Sequence, residues 1–103
     1  MISIELDGSI VFELDRPDAK RVELVGAFHG WHEQRLPMTR SEDGLWRLRL
    51  ELDPGEYLFR YLVDERTWAL DPAAHGIRRT LDGVPKSRAW RPPLRLDPGA
   101  LAA

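Results

Sequence analysis

The four tryptophans are the side chains in this chain best suited to a specific chemistry. A sugar ring has faces of C–H groups and edges of hydroxyl groups. An aromatic ring stacks on the face while polar side chains bond the edge, and tryptophan offers the largest flat surface at a small cost in rotamer entropy. A glycan site therefore needs an exposed tryptophan on a rigid frame, with polar side chains beside it.

The four tryptophans differ in the positions that the sequence predicts for them. Trp46 alternates with charged residues and is expected in the core. Trp31 lies in a loop and Trp68 follows a tight turn, and loops run over the surface. Trp90 lies among prolines and arginines and could cap the core. The alternative for the loop tryptophans is that each ring covers an end of the core.

The histidines and acids do not form a recognisable metal or catalytic pattern. His29 and His32 lie three apart beside Glu33, a spacing that is no zinc signature in a strand or loop, and there is no cysteine. Asp64 and Glu65 are adjacent, so in an extended chain they point apart instead of flanking a sugar. Nucleophile motifs and glycine-rich phosphate loops are absent. The sequence thus predicts a protein that is not an enzyme, with no metal and no cofactor.

Apolar residues recur with a period of two, which predicts strands. The clearest strand is 45–52, where Trp46, Leu48, Leu50 and Leu52 alternate with charged residues, and 56–63 follows after a Pro-Gly turn. About seven to eight short antiparallel strands, separated by turns, indicate an all-β sandwich. The remaining predicted strands are 2–6, 10–14, 21–28, a short one around Trp68, a weak one at 77–80, and one beginning near Lys86.

Length and composition predict one small domain. The chain has 103 residues, 43% hydrophobic and 31% charged, without cysteine. We expect a single domain over residues 1–92 and a loose tail over 93–103. The start, M-I-S-I-E-L-D-G, lacks the basic and apolar segments of a signal peptide, and no stretch is long enough for a membrane span. The expected location is cytoplasmic.

The charge distribution does not favour a polyanion partner. The formal net charge is −2, with the excess of basic residues confined to 76–103. These basic residues are scattered, so we interpret most of them as a solvated face, and we expect neither nucleic acid nor membrane as a partner. The alternative is an anion or nucleic-acid role for this basic segment, which predicts binding that falls steeply with salt.

Six short motifs in this order and spacing resemble carbohydrate-binding module family 48. That family includes the N-terminal early-set domains of isoamylases and branching enzymes and the glycogen-binding domain of the AMP-activated protein kinase beta subunit. The resemblance implies an immunoglobulin-like early-set sandwich. The motifs are G-A-F-H-G-W at 26–31, L-P-M at 36–38, D-G-L-W at 43–46, P-G-E-Y at 54–57, Y-L-V-D at 61–64 and W-A-L-D-P at 68–72.

The resemblance also implies an α-glucan site. Trp31 and Trp68 match the two tryptophans that flank the glucan in glycogen-binding members, and Arg60 matches their lysine. Lys86 and Ser87 fall where the family has its hydroxyl-binding asparagine. The implied ligand is an α-glucan oligosaccharide or glycogen, held without catalysis.

Two departures from the family pattern bear on whether sugar binding is retained. His29 replaces the asparagine of the F-N-x-W pattern, as Lys86 replaces the other one, and lysine donates hydrogen bonds but cannot accept them. His29 and Val84 are further candidate contributors to the site. The alternative function is a protein-interaction module that docks to a glucan-metabolising enzyme or a kinase and binds no sugar.

Overall fold

The computed structural model describes residues 1–30 and 32–93, and within them the chain forms ten strands and no helix. The all-β prediction is confirmed. No helix in the described part of the chain is long and apolar enough to cross a membrane. The strands are β1 (Ile2–Ile4), β2 (Ile10–Asp15), β3 (Val22–Gly26), β4 (Gln34–Pro37), β5 (Thr39–Arg40), β6 (Leu45–Leu50), β7 (Gly55–Val63), β8 (Thr67–Ala69), β9 (Ile77–Arg79) and β10 (Pro85–Arg91).

The strands form two antiparallel sheets. One sheet has the order β1-β2-β6-β5, and the other has the order β4-β3-β7-β10-β9. Strand β7 is long enough to pair with two strands along one edge: its residues Gly55–Phe59 pair with β10 and its residues Tyr61–Val63 pair with β8. Strands β8 and β10 therefore follow one another along the same side of β7.

The core lies between the two sheets and confirms the predicted alternation. Phe12 of the four-stranded sheet meets Phe59 of the six-stranded sheet edge to face, with ring centroids 5.0 Å apart. Tyr61 packs on Phe59 in the same way at 5.5 Å. Trp46 is buried as predicted, and its indole N–H donates to the carbonyl oxygen of Arg16 at 2.9 Å. A buried indole N–H needs such a partner, because leaving it unpaired would cost free energy.

The predicted strand count was too low because β4 and β5 were missed. They have four and two residues, and Pro37 and Arg40 interrupt the strand pattern. The available signal was the alternation of Leu36 and Met38: Leu36 packs against the core and Met38 is buried in it.

The first predicted strand, 2–6, was too long. Strand β1 ends at Ile4 and Leu6 is fully exposed, because a turn begins at Glu5, whose amide donates to the Ser9 carbonyl oxygen at 2.8 Å. At the other end of the chain, β10 ends at Arg91, just before the two prolines. The predicted tail 93–103 lies outside the described residues except for Pro93. The domain boundary at 92 stays a prediction.

Candidate functional site

The face of the six-stranded sheet that points away from the core carries three of the seven candidate residues. On β7, Phe59 and Tyr61 face the core, so Glu56, Leu58, Arg60 and Leu62 face outward. We call this the outer sheet face. Opposed residues of antiparallel strands share a face, so the pairing of Leu62 with Trp68 places Trp68 there as well.

Trp68 is held on the outer sheet face by the β7–β8 hairpin. Asp64 and Glu65 in the turn have φ angles of 51° and 59°, the left-handed conformation that a tight turn requires. The Asp64 carboxylate accepts hydrogen bonds from the backbone amides of Lys20 and Arg21 at 2.7 and 2.8 Å. The turn is thus anchored, and the Trp68 side chain remains 43% exposed.

Arg60 and Trp68 form a stacked pair. The guanidinium carbon of Arg60 lies 3.8 Å from the centroid of the Trp68 ring, which is a cation–π contact. The guanidinium covers one face of the indole ring. The Nε atom of Arg60 is buried and has no hydrogen-bond partner among the described atoms. A buried donor without a partner gains free energy when one arrives, so this N–H favours an added acceptor.

Lys86 and Ser87 lie on opposite sides of the sheet. Ser87 pairs with Phe59 and is fully buried, and its hydroxyl accepts a hydrogen bond from the Asp71 amide at 2.7 Å. Lys86 therefore points to the outer sheet face, level with Arg60, and its ammonium lies 3.2 Å from the Glu33 carboxylate. The structure does not bring Ser87 to the surface beside Lys86, so we leave Ser87 out of the sugar-contacting set.

In the described part of the chain, neither His29 nor Val84 forms a hydrogen bond with Arg60 or Trp68. The Nε2 atom of His29 donates to the carbonyl oxygen of Glu51 at 3.3 Å, and Glu51 directly follows β6 of the opposite sheet. Val84 is half-buried at the base of the turn before β10, where its amide donates to the Asp82 carboxylate at 3.0 Å. Both residues are better explained by support of their loops.

Trp31 lies outside the described residues. Residues on either side of it are described, and two of them, Phe28 and Glu33, have defined contacts. Phe28 is buried in the core against Phe12, with ring centroids 5.8 Å apart. Two positions after Trp31, Glu33 pairs with Lys86 on the outer sheet face.

A buried polar cluster fixes the chain that leaves β8. The Tyr61 hydroxyl donates to the Asp71 carboxylate at 2.7 Å, and the Asp71 amide donates to Ser87. Asp71 is only 2% exposed, and the Met1 ammonium also contacts its carboxylate. Burial, followed by the hydrogen bond with Asp71, raises the pKa of Tyr61 strongly. The cluster ties the D-P end of the W-A-L-D-P motif to β7 and β10, and so helps to position Trp68.

Trp90 was not among the predicted site residues. It is 44% exposed and stands opposite Glu56 on the outer sheet face, so it does not cap the core. The signal that could have found it is the phase of β10, since Trp90 has the same parity as Lys86.

A metal site finds no support in the described residues, where no group of three His, Asp or Glu side chains comes together. The arrangement suits binding: aromatic and basic side chains share one face of a rigid sheet. The two antiparallel sheets define a domain of the β-sandwich class. Residues 3–74 match the family model described as "Carbohydrate-binding module 48 (Isoamylase N-terminal domain)", and the chain belongs to this family.

Relatives with this module are much longer than the chain. It is 43% identical over 54 residues to "Protein PTST homolog 2, chloroplastic" of Arabidopsis thaliana, covering 52% of this chain and 10% of that protein. It is 31% identical over 90 residues to the "1,4-alpha-glucan branching enzyme GlgB 2" of Rhizobium johnstonii, covering 84% of this chain and 12% of the enzyme. The chain thus spans about a tenth of the length of these relatives.

The fold is shared with a solved enzyme structure. The pullulanase of Anoxybacillus sp. LM18-11 complexed with maltotetraose superimposes with a TM-score of 0.64 and 23% identity, covering 84% of this chain and 13% of the enzyme. Together with the two-sheet architecture, this confirms the early-set sandwich that the motifs predicted.

Proposed function

We propose that the chain is a non-catalytic module that holds an α-glucan by stacking its pyranose rings on exposed tryptophans. The observation that carries the proposal is the Arg60–Trp68 pair, in which a 43% exposed indole stands on a rigid sheet face. The carbohydrate-binding family supplies the class of ligand. The names of the relatives narrow it, because branching enzymes and a pullulanase solved with maltotetraose are associated with α-glucans.

In the proposed complex, the sugar stacks on the face of Trp68 that Arg60 leaves free. Displacing the guanidinium would forfeit a cation–π contact worth about 0.5–1 kcal/mol at a partly exposed site. Keeping it in place avoids that loss and leaves a charged donor beside the ring. The guanidinium and the stacked glucose lie on opposite faces of the indole, so Arg60 donates instead to a hydroxyl of a neighbouring glucose unit that extends past the edge of the ring.

Lys86 is proposed as a second donor to sugar hydroxyls. It lies level with Arg60 on the outer sheet face, and its contact with Glu33 places a carboxylate acceptor in the same place. A paired lysine and glutamate offer donors and an acceptor together, which suits hydroxyl groups. The Glu33 carboxylate thus supplies the hydrogen-bond acceptor that Lys86 lacks at the position where the family has an asparagine.

Trp31 is proposed as the second stacking residue. The G-A-F-H-G-W motif matches it to the first tryptophan of the family's glucan site. Glu33, two positions further along the chain, supports the proposal, because its carboxylate lies 3.2 Å from the ammonium of Lys86.

The test is titration with maltoheptaose, followed by tryptophan fluorescence and calorimetry. We expect saturable binding, and Trp68→Ala should weaken it by on the order of 1 kcal/mol, about fivefold in Kd. Leu6→Ala is the matched control, because Leu6 is a fully exposed apolar residue at the turn after β1 in the other sheet. Equal affinities of Trp68→Ala and the wild type would refute the proposed site.

A second candidate function is docking to a glucan-metabolising enzyme. It is favoured by β9, the last strand in the order of the six-stranded sheet, where Ile77 is 60% exposed. An outermost strand with an exposed apolar residue can accept a partner strand. Co-purification with such an enzyme that is lost in Ile77→Lys but survives Trp68→Ala would identify docking as the function.

A further inference from the structure

The outer sheet face carries a second exposed indole ring, Trp90. It is 44% exposed, as much as Trp68 at 43%. Its backbone is held on both sides, because it stands opposite Glu56 of β7 and its amide donates to the Nδ1 atom of His75 at 2.8 Å. Trp90 is therefore a flat apolar surface on a fixed frame, which is the property that makes Trp68 a candidate for stacking.

Trp68 and Trp90 lie in one row along the same edge of β7. Trp68 is opposite Leu62 and Trp90 is opposite Glu56, and both neighbours of β7 occupy the same side of it. Six residues of extended strand separate Leu62 from Glu56, which is a span of about 20 Å at the usual rise per residue. The two rings are too far apart to hold one sugar and are spaced to hold a chain of several.

Between the two rings the outer sheet face carries Leu58 and charged side chains, with the carboxylates of Glu33 and Glu56 beside basic residues. Lys86 pairs with Glu33, and Arg88 contacts the Glu56 carboxylate, which also lies 3.3 Å from Arg78. A polyanion binds through cations that release its counterions, and the two carboxylates in this row oppose such binding. Paired charges instead present donors and acceptors side by side, which suits the hydroxyl edges of a neutral sugar chain.

We propose that Trp90 is a stacking position in addition to Trp31 and Trp68, and that a long α-glucan lies along the outer sheet face from Trp68 to Trp90. The inference rests on the proposed function, because the chain that reaches Trp90 is the one that stacks on Trp68. It adds a residue that the family resemblance does not assign. It also makes length a determinant of affinity, since a short oligosaccharide cannot touch both rings.

The experiment compares maltotriose with maltoheptaose on the wild type, Trp68→Ala and Trp90→Ala by calorimetry. The wild type should bind maltoheptaose more tightly than maltotriose. Trp90→Ala should weaken maltoheptaose about fivefold, as expected for one lost aromatic contact, and leave maltotriose unchanged. Trp68→Ala should weaken both sugars. Trp90→Phe, which keeps a flat ring, should recover part of the maltoheptaose affinity.

The outcomes separate this inference from the proposed function. If the wild type and Trp68→Ala behave as expected but Trp90→Ala binds maltoheptaose like the wild type, the stacking position at Trp90 is refuted and the Trp68 site stands. If Trp90→Ala weakens both sugars equally, the continuous track is refuted. If the wild type binds neither sugar, the proposed function fails and this inference with it. Circular dichroism of Trp90→Ala and Trp90→Phe establishes that the fold is retained.

Discussion

Tyr61→Phe tests whether the buried cluster around Asp71 stabilises the strand that carries Trp68. The substitution removes one hydroxyl, which donates to the buried Asp71 carboxylate at 2.7 Å and lies 3.3 Å from the Glu13 carbonyl oxygen. A buried hydrogen bond to a charged group contributes about 2 kcal/mol. For a domain of this size that loss corresponds to a decrease in Tm of roughly 10 °C.

Tyr57→Phe is the matched control, because Tyr57 lies on the same strand and faces the same side. Its hydroxyl donates to the backbone carbonyl oxygen of Asp53 at 2.6 Å near the surface. A neutral bond accessible to water contributes less, about 0.5 kcal/mol. Urea and thermal unfolding of the two variants should therefore differ clearly, and equal losses of stability would refute the role assigned to the Asp71 cluster.

The stability difference between the wild type and Tyr61→Phe should also depend on pH, and the sign of this dependence follows from the raised pKa of Tyr61. In the unfolded chain the phenol ionises near its ordinary pKa of 10.0, whereas burial keeps it protonated in the folded protein. The stabilisation is fully present below pH 10.0 and decreases as the pH rises above it. The stability difference between wild type and Tyr61→Phe should then shrink by about 1.4 kcal/mol per pH unit. A difference that stays constant above that pH would contradict this account.

Two further predictions concern the stacked arginine and an acidic turn. Arg60→Ala should weaken maltoheptaose binding severalfold in calorimetry, because it removes a donor beside Trp68; tighter binding would show instead that the guanidinium occupies the sugar's place. Asp82 has its pKa lowered, first by the Thr80 hydroxyl and then by the Val84 amide. Its contribution to stability is present above pH 3.8 and lost on further acidification, so Asp82→Asn should show a shallower acid decline in unfolding titrations than the wild type, and an equal slope would contradict this.

The sequence predicted the parts of the fold where alternation is long and uninterrupted. On β7, four apolar residues in alternate positions allowed only one choice of which side of the strand faces the core. That choice also placed Arg60 on the outer sheet face. Trp46 could be placed in the core for the same reason. Short strands such as β5 gave too few residues for a period to show, so their existence depended on pairing with β6 that the sequence does not display.

The candidate site was predicted less well because the sequence did not show which residues of β10 point to the outer sheet face. Lys86 and Ser87 were both expected at the sugar, yet adjacent strand residues point to opposite faces, so only one of them could be there. The pairing of Ser87 with Phe59 decides the matter, and it follows from contacts distant in sequence. Once Lys86 is outside, Trp90 must be outside too. A pattern search that treats each tryptophan separately misses this link.

The replacement of the family's asparagine by Lys86 changes what the position can do. An asparagine bonds a sugar hydroxyl as donor and acceptor by itself, whereas Lys86 needs Glu33 to supply the acceptor. The Lys86 side chain is only 16% exposed, so the ion pair is screened less than a fully solvated one. Because Glu33 follows the G-A-F-H-G-W motif, the pair also links the loop between β3 and β4 to β10. Under the proposed function, sugar recognition at this position would depend on two elements of the fold being held together, where an asparagine would have needed one.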